Sequence, residues 1–110
     1  MITVNEYIND ASFTAPCFVR GDALQVLAHL PDECIDCVVT SPPYYMKRQY
    51  LGDGIGLETT YQEYIDNLLA IVKEVYRVLK PSGSFWLNVG DSYKNKQLLN
   101  IPHRVAIRMQ

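Results

Sequence analysis

The sequence predicts an α/β fold with a mostly parallel sheet and flanking helices. Apolar runs of strand length at residues 17–20, 35–39 and 84–89 alternate with segments at residues 23–30 and 60–80, in which apolar side chains recur at helical spacing. Strands joined through a helix pair in parallel, because the crossover returns the chain in the same direction. This alternation of strand and helix indicates the fold class.

The first part of the chain is predicted to run from strand to helix to strand. Residues 1–16 show no clear period, and the first strand follows at residues 17–20. Asp22 stands directly before the first helical segment, where an aspartate side chain can act as the N-cap. Pro31 ends that helix, and the second strand, at residues 35–39, is predicted to be buried.

The longest helix has the clearest signals. Thr60 and Glu63 have the spacing of a capping box, and an amphipathic pattern then continues to Lys80. Its apolar positions are Tyr61, Tyr64, Ile65, Leu68, Leu69, Val72, Val75, Tyr76 and Leu79. Pro81 and Gly83 are predicted to end the helix before the third strand.

A last helix is predicted over residues 98–110. The chain enters it through Asn100, with Pro102 in the first turn, where the missing N–H costs nothing. Its apolar residues are Val105, Ala106 and Met109.

Composition limits the classes of function. The 110 residues suit one small domain, with 48% hydrophobic and 20% charged residues. The formal net charge of −2 gives no general attraction for nucleic acid, so any DNA contact has to be local. The amino terminus lacks the basic and apolar regions of a secretion signal, and no apolar run reaches the roughly 18 residues of a membrane span. We therefore expect a soluble, cytoplasmic protein without membrane contact.

The cysteines are predicted to be structural. Their number is odd, in a chain without a secretion signal, which favours reduced thiols. Cys34 and Cys37 have the C-x-x-C spacing of a zinc site, but no second pair supplies the remaining ligands. We expect Cys37 to face the core and predict no metal site.

Residues 40–44, Thr-Ser-Pro-Pro-Tyr, follow the second strand directly and are named here the Pro-Pro loop. The prolines hold Ser41 and Pro42 extended and donate no hydrogen bond, so the loop carbonyls are available as acceptors. Tyr44 adds a flat ring at the carboxyl end of a strand, where open α/β sheets bind ligands. Acceptors beside a ring suit a planar base with an amino group, although an isolated motif of this kind is also typical of a simple turn.

The Pro-Pro loop, together with residues 21–24 and residues 77–88, resembles the amino-group DNA methyltransferases. The resemblance runs from about Phe18 to the last residue and is to the permuted type, in which the catalytic loop lies in the N-terminal half. It implies a partial Rossmann-like fold dependent on S-adenosylmethionine as methyl donor. It also implies double-stranded DNA with a flipped target base as the partner.

The resemblance assigns roles to individual residues. Ser41, Pro42, Pro43 and Tyr44 would be catalytic: the Ser41 hydroxyl and the Pro42 carbonyl accept from the exocyclic amine, and Tyr44 stacks on the base. Asp22 would bind the adenine of S-adenosylmethionine, with Thr40 as a second cofactor residue, while helix capping alone could also explain Asp22. Lys47 and Arg48, with Tyr45 and Tyr50 nearby, are candidates for contact with DNA phosphates; a solvated loop is the alternative.

The resemblance also suggests which base is modified. Thr-Ser-Pro-Pro-Tyr is typical of N4-cytosine enzymes, whereas aspartate in the place of Ser41 is typical of N6-adenine enzymes. We therefore expect methylation of cytosine N4, with adenine N6 as the alternative. An inactive DNA-binding module and an RNA or small-molecule methyltransferase are the rival classes, and a cognate restriction endonuclease is a candidate second partner.

One expected motif does not occur. Permuted relatives carry an F-x-G-x-G turn for S-adenosylmethionine near the carboxyl end, and residues 1–110 contain none. We expect these residues to be the N-terminal catalytic half of a methyltransferase domain, without the cofactor loop or the target recognition domain. Residues 17–20 should then be poorly anchored, or should pair with residues 35–39.

Overall fold

The computed structural model describes residues 3–47 and 54–110. Its helices are α1 (Val4–Asn9), α2 (Ala23–Ala28), α3 (Tyr61–Val78) and α4 (Ile101–Arg108), and its strands are β1 (Ile35–Thr40), β2 (Leu79–Leu87), β3 (Tyr93–Lys94) and β4 (Gln97–Leu98). By internal contacts the chain divides into a first unit, Met1–Val38 with Lys73–Phe85, and a second unit, Val39–Val72 with Trp86–Gln110.

Strands β1 and β2 form a two-stranded sheet. At its start the Cys34 N–H donates to the Val78 carbonyl over 2.8 Å, and at its end the Asn88 N–H donates to the Thr40 carbonyl over 2.9 Å. Residue numbers rise together along both strands, so they are parallel. The predicted α/β class with a parallel, helix-linked strand pair is confirmed.

Helix α1 lies in the segment where the sequence showed no period. Thr3 and Glu6 form a complete capping box: the Glu6 N–H donates to Thr3 Oγ1 over 3.1 Å, and the Thr3 N–H donates to Glu6 Oε2 over 2.6 Å. The T-x-x-E spacing that predicts α3 was therefore also present here. Helix α2 begins as predicted, with the Gln25 N–H donating to Asp22 Oδ1 over 3.2 Å.

The predicted first strand is wrong. Residues 17–20 have no strand structure, and Phe18 is 95% exposed. Apolar composition alone cannot hold a strand, because an extended segment gains its backbone hydrogen bonds only by pairing. The sequence predicted that residues 17–20 would be either poorly anchored or paired with residues 35–39, and the structure shows the poorly anchored segment.

The burial predicted for β1 is also wrong. Val39 is 76% exposed, and Cys37 is exposed rather than facing a core. The sheet that contains β1 has only two strands in the described part of the chain, which leaves much of its surface uncovered. Cys34 is half-buried, and this burial raises the pKa of its thiol.

Helix α3 ends at Val78, and β2 begins at once at Leu79, earlier than the strand predicted at residues 84–89. Pro81 and Gly83 therefore lie inside the strand rather than in a turn. A Cβ atom at Gly83 would lie 3.1 Å from the Asp36 carbonyl oxygen, so glycine permits the close approach of β1.

The apolar face of α3 is confirmed for most of its length. The buried side chains are Tyr64, Ile65, Leu68, Val72, Val75 and Val78. Tyr76, which the pattern also assigned to this face, is 83% exposed. It lies about 100° round the helix from Val75, on the solvent side.

Arg77 ties α2 to α3 within the first unit. Its guanidinium donates to the carbonyl of Leu27, in the last turn of α2, over 2.7 Å and to that of Leu30, just after the helix, over 2.8 Å. It also binds the carboxylates of Asp32 and Glu74, each at 2.6 Å, and these bonds raise the pKa of Arg77.

The end of the second unit consists of a hairpin and α4. Asn95 and Lys96, with φ of 54° and 61°, connect β3 to β4 as in a type I′ turn, which was not predicted. Ile101 and Val105 are the buried residues of α4, whereas Ala106 and Met109, the other apolar residues of the predicted helix, are exposed. In the described ranges, no helix combines the length and the apolarity needed to cross a membrane.

Candidate functional site

The candidate site lies in the second unit, where β1 and β2 end. The Pro-Pro loop follows β1, and residues 88–92, named here the facing segment, follow β2. Besides its backbone bond to Thr40, Asn88 donates from Nδ2 to Ser41 Oγ over 3.5 Å. The two segments therefore meet at the carboxyl edge of the sheet, where the sequence predicted a ligand site.

The ring of Tyr44 rests against Gly90. A Cβ atom on Gly90 would lie 2.6 Å from Tyr44 Cε2 and 2.7 Å from Cδ2, so any side chain there would displace the ring. Tyr44 is half-buried and keeps part of its surface accessible. The contact with Gly90 limits where the ring can lie, and its accessible part can stack on a planar ligand.

Two buried hydroxyl groups hold the backbone around Tyr44. Tyr64, which is 0% exposed, donates to the Pro43 carbonyl over 2.8 Å. Ser92, which is 4% exposed, donates to the Tyr45 carbonyl. Burial, with smaller contributions from Glu58 and Tyr44, raises the pKa of Tyr64 to about 12, so its hydroxyl remains a proton donor at neutral pH.

The backbone carbonyls of residues 40–45 fall into two groups, those that accept a hydrogen bond from a described residue and those that do not. Those of Thr40, Pro43, Tyr44 and Tyr45 accept from Asn88, Tyr64, Lys47 and Ser92, respectively. Those of Ser41 and Pro42 accept no hydrogen bond from residues 3–47 or 54–110. The free acceptors are thus the Pro42 carbonyl, which the sequence singled out, and its neighbour at Ser41.

Asp91 fixes the other side of the site. Its Oδ1 accepts from the backbone N–H of Ser92 over 2.8 Å and from that of Ile101 over 3.0 Å. The second bond caps α4, because Asn100 at the N-cap makes no side-chain capping bond. The facing segment is therefore anchored to a helix as well as to a strand.

Tyr45 does not have the position expected of a DNA contact. Its side chain is 0% exposed, its ring centroid lies 5.5 Å from that of Tyr64, and its hydroxyl donates to the Thr59 carbonyl over 3.2 Å. Burial raises the pKa of Tyr45. Lys47, two residues further, is exposed, while Arg48 and Tyr50 lie outside the described residues.

The two cofactor candidates lie in different units. Asp22, in the first unit, is exposed and uses Oδ1 to cap α2, which leaves Oδ2 as an acceptor that no described residue occupies. Thr40, in the second unit, is exposed at the end of β1. Each side chain by itself offers an oxygen that can accept from an amine or a hydroxyl group. In the described part of the chain, no group of three or more His, Cys, Asp or Glu residues could hold a metal ion.

Sequence reasoning missed several residues of this site. Tyr64 was assigned to the helix core, since periodicity predicts the buried face but not the reach of a hydroxyl. Gly90 and Ser92 lie just after the strand predicted at residues 84–89, and the sequence assigned them no role. Two small residues on either side of Asp91 were the available signal, because small residues admit a ring or another backbone.

An acceptor-rich Pro-Pro loop at the carboxyl edge of a parallel sheet defines the class of amino-group methylases. The family model described as DNA methylase matches residues 35–110, and the chain belongs to this family.

Relatives and a solved structure agree with this assignment. The chain is 46% identical to Type II methyltransferase M.SfiI of Streptomyces fimbriatus, over 82% of this chain and 26% of that protein. It is 51% identical to Type II methyltransferase M.XycI of Xanthomonas campestris pv. cyanopsidis, over 67% of this chain and 25% of that protein. The solved structure of PvuII DNA methyltransferase (cytosine-N4-specific) matches with a TM-score of 0.64 and 36% identity, over 81% of this chain and 31% of that one. The chain spans about a quarter of the length of these curated relatives.

Proposed function

We propose that this chain forms the catalytic half of a DNA methyltransferase that transfers a methyl group from S-adenosylmethionine to the exocyclic N4 of cytosine. One observation carries the proposal: a single loop holds the Ser41 hydroxyl, a Pro42 carbonyl to which no described residue donates, and a Tyr44 ring that rests on Gly90. The name of the PvuII structure, cytosine-N4-specific, supports the choice of base, as does serine rather than aspartate at position 41.

The acceptors address the weakness of the nucleophile. The lone pair of an exocyclic amine is delocalised into the base, so the nitrogen attacks poorly. If Ser41 Oγ and the Pro42 carbonyl each accept a hydrogen bond from one N–H of the amine, the lone pair of the nitrogen is left free to face the methyl donor. When bound, S-adenosylmethionine supplies an electrophilic methyl group on a sulfonium. As the nitrogen–carbon bond forms, the sulfur–carbon bond would break, S-adenosylhomocysteine would leave with that electron pair, and the proton lost from the nitrogen would pass to water.

Tyr44 compensates for removing the base from the duplex. Flipping a base out of the stack costs roughly a few kcal/mol, and stacking on an aromatic ring returns about 1–3 kcal/mol. A ring seated on Gly90 needs little further ordering when the base arrives, so more of the stacking energy is retained.

The remaining roles follow from position and charge. Lys47, exposed three residues after Tyr44, and Arg48 would bind phosphates of double-stranded DNA around the flipped base. Asp22 and Thr40 would bind S-adenosylmethionine, with the rest of the cofactor site and the target recognition domain supplied elsewhere in the intact gene product. The relatives are named Type II methyltransferases, which supports a restriction-modification system with a cognate endonuclease as partner.

The test is a direct assay of the intact gene product. Duplex DNA is incubated with S-adenosylmethionine carrying an isotopically labelled methyl group, digested to nucleosides and analysed by mass spectrometry. We expect labelled N4-methylcytosine. Labelled N6-methyladenine alone would replace cytosine with adenine as the substrate, and DNA without label would refute the proposed function.

A further inference from the structure

We propose that Tyr64 and Ser92 are positioning residues for methyl transfer, which hold the Pro43 and Tyr45 carbonyls inside the protein so that the Pro42 carbonyl remains directed at the substrate. This inference rests on the proposed function and adds residues that the Pro-Pro motif itself does not contain. Neither side chain needs to touch the base; each acts through the backbone that it binds.

Both bonds are protected from water. Tyr64 is 0% exposed and Ser92 4% exposed, and each hydroxyl donates to a carbonyl of this stretch. A loop conformation that breaks either bond would leave a buried hydroxyl without an acceptor, which is costly. The two bonds therefore select one conformation of residues 43–45.

The prolines transmit this selection to Pro42. The relative orientation of the Pro42 and Pro43 carbonyls depends only on φ and ψ of Pro43, because the peptide groups themselves are planar. The pyrrolidine ring restricts φ of Pro43, and the Tyr64 bond to its carbonyl restricts ψ. Once the Pro43 carbonyl is held, the direction of the Pro42 carbonyl is held too. The Pro43 carbonyl is thus bound by Tyr64, and the Pro42 carbonyl, which accepts from no described residue, stays free for the substrate.

The chain offers a control in Tyr7, a half-buried tyrosine of the first unit. Its hydroxyl also donates to a backbone carbonyl, that of Ala15, which has no part in the candidate site. Tyr64→Phe and Tyr7→Phe each delete one tyrosine hydroxyl that binds a carbonyl. Only the Tyr64 hydroxyl binds a carbonyl of the Pro-Pro loop.

Steady-state kinetics of the intact gene product test the proposal. Because a small misplacement of reacting groups is costly, we expect Tyr64→Phe and Ser92→Ala each to lower kcat about tenfold or more, with KM for S-adenosylmethionine and for DNA changed less than about twofold. Tyr7→Phe should leave kcat within about twofold of the wild type. A wild-type kcat in both Tyr64→Phe and Ser92→Ala, or an equal loss in Tyr7→Phe, would overturn the proposal.

Hydrogen exchange examines the loop without reference to catalysis. The Met46 N–H donates to the Gly56 carbonyl over 2.8 Å and the Lys47 N–H to the Tyr44 carbonyl over 3.3 Å, so both amides report on the end of the loop. We expect faster exchange of these amides in Tyr64→Phe and Ser92→Ala than in Tyr7→Phe. Equal exchange in all three variants would also overturn the proposal. A wild-type protein that transfers no methyl group would refute the proposed function, and the exchange rates would still decide whether Tyr64 and Ser92 hold the loop.

Discussion

Ser41 and Tyr44 are the side chains proposed to act in methyl transfer, and neither is buried in the core of the protein. Ser41 is exposed, and Tyr44 is half-buried against a glycine. We expect Ser41→Ala and Tyr44→Ala each to reduce methyl transfer at least tenfold, about 1.4 kcal/mol of transition-state stabilisation, without unfolding the protein. Turnover with saturating DNA measures the effect. Tyr76→Ala, at an exposed tyrosine of α3, is the control, and wild-type turnover in the loop variants would contradict their assignment.

Gly90 tests whether the position of the Tyr44 ring matters, rather than only its presence. In Gly90→Ala the added methyl group would lie 2.6 Å from the ring, so Tyr44 must move. We expect a clear loss of methyl transfer with a largely retained melting temperature. Gly54→Ala, where a Cβ atom meets nothing within 4 Å, should leave both unchanged. If Gly90→Ala and Gly54→Ala transfer methyl groups at the same rate, the contact between Tyr44 and Gly90 has no importance for catalysis.

Tyr64 also makes the free energy of unfolding vary with pH in the alkaline range. Its ordinary pKa of 10.0 rises to about 12 in the folded chain, mainly through burial, so folding favours the neutral phenol. The contribution of Tyr64 is fully present below pH 10 and is lost as the pH rises from 10 to 12. Thermal unfolding across this range should show a smaller fall in melting temperature for Tyr64→Phe than for the wild type. Identical slopes would show that the phenol is accessible to water.

Arg77 connects helices α2 and α3. Its planar guanidinium reaches two carbonyls and two carboxylates at once, which a lysine cannot reproduce. We expect Arg77→Lys to lower the melting temperature by several degrees, because the carbonyls of Leu27 and Leu30 lose their bonds to the guanidinium. Lys73→Arg, a change of the opposite sense at an exposed site on the same helix, should have little effect. Equal melting temperatures would mean that water replaces the arginine without loss.

Elements with a local signal were predictable, and those that depend on distant partners were not. The caps at Asp22 and Thr60 and the stripe of α3 lie within one helix, so the sequence contains them whole. Strand structure at residues 17–20 needs a neighbouring strand, which composition cannot supply. The Pro-Pro loop was identified from its residues, whereas Tyr64 and Ser92 lie 21 and 47 residues away from the carbonyls that they bind. Contacts between residues so far apart in the sequence are set by the tertiary structure, which local patterns do not reveal.

At the scale of the whole molecule, the expected division of the methyltransferase domain can be tested directly. The 110 residues contain no F-x-G-x-G turn and span about a quarter of the length of their relatives. We expect the isolated 110-residue polypeptide to show no S-adenosylmethionine binding by calorimetry and no methyl transfer. Addition of the carboxyl-terminal part of the domain in trans should restore some of both. A micromolar dissociation constant for the isolated polypeptide would show that Asp22 and Thr40 do not depend on a further cofactor site.

The free carbonyls of Ser41 and Pro42 have a consequence for the protein before DNA arrives. Ser41 is exposed to solvent, and we expect water to bind acceptors to which no described residue donates. An incoming amine has to expel this water, so capture of the base releases solvent from the loop to the bulk. The equilibrium should therefore respond to water activity: osmolytes excluded from the protein surface favour the occupied state even at constant salt. The Pro-Pro loop thus makes base capture sensitive to osmotic pressure as well as to the ionic strength that governs phosphate contacts.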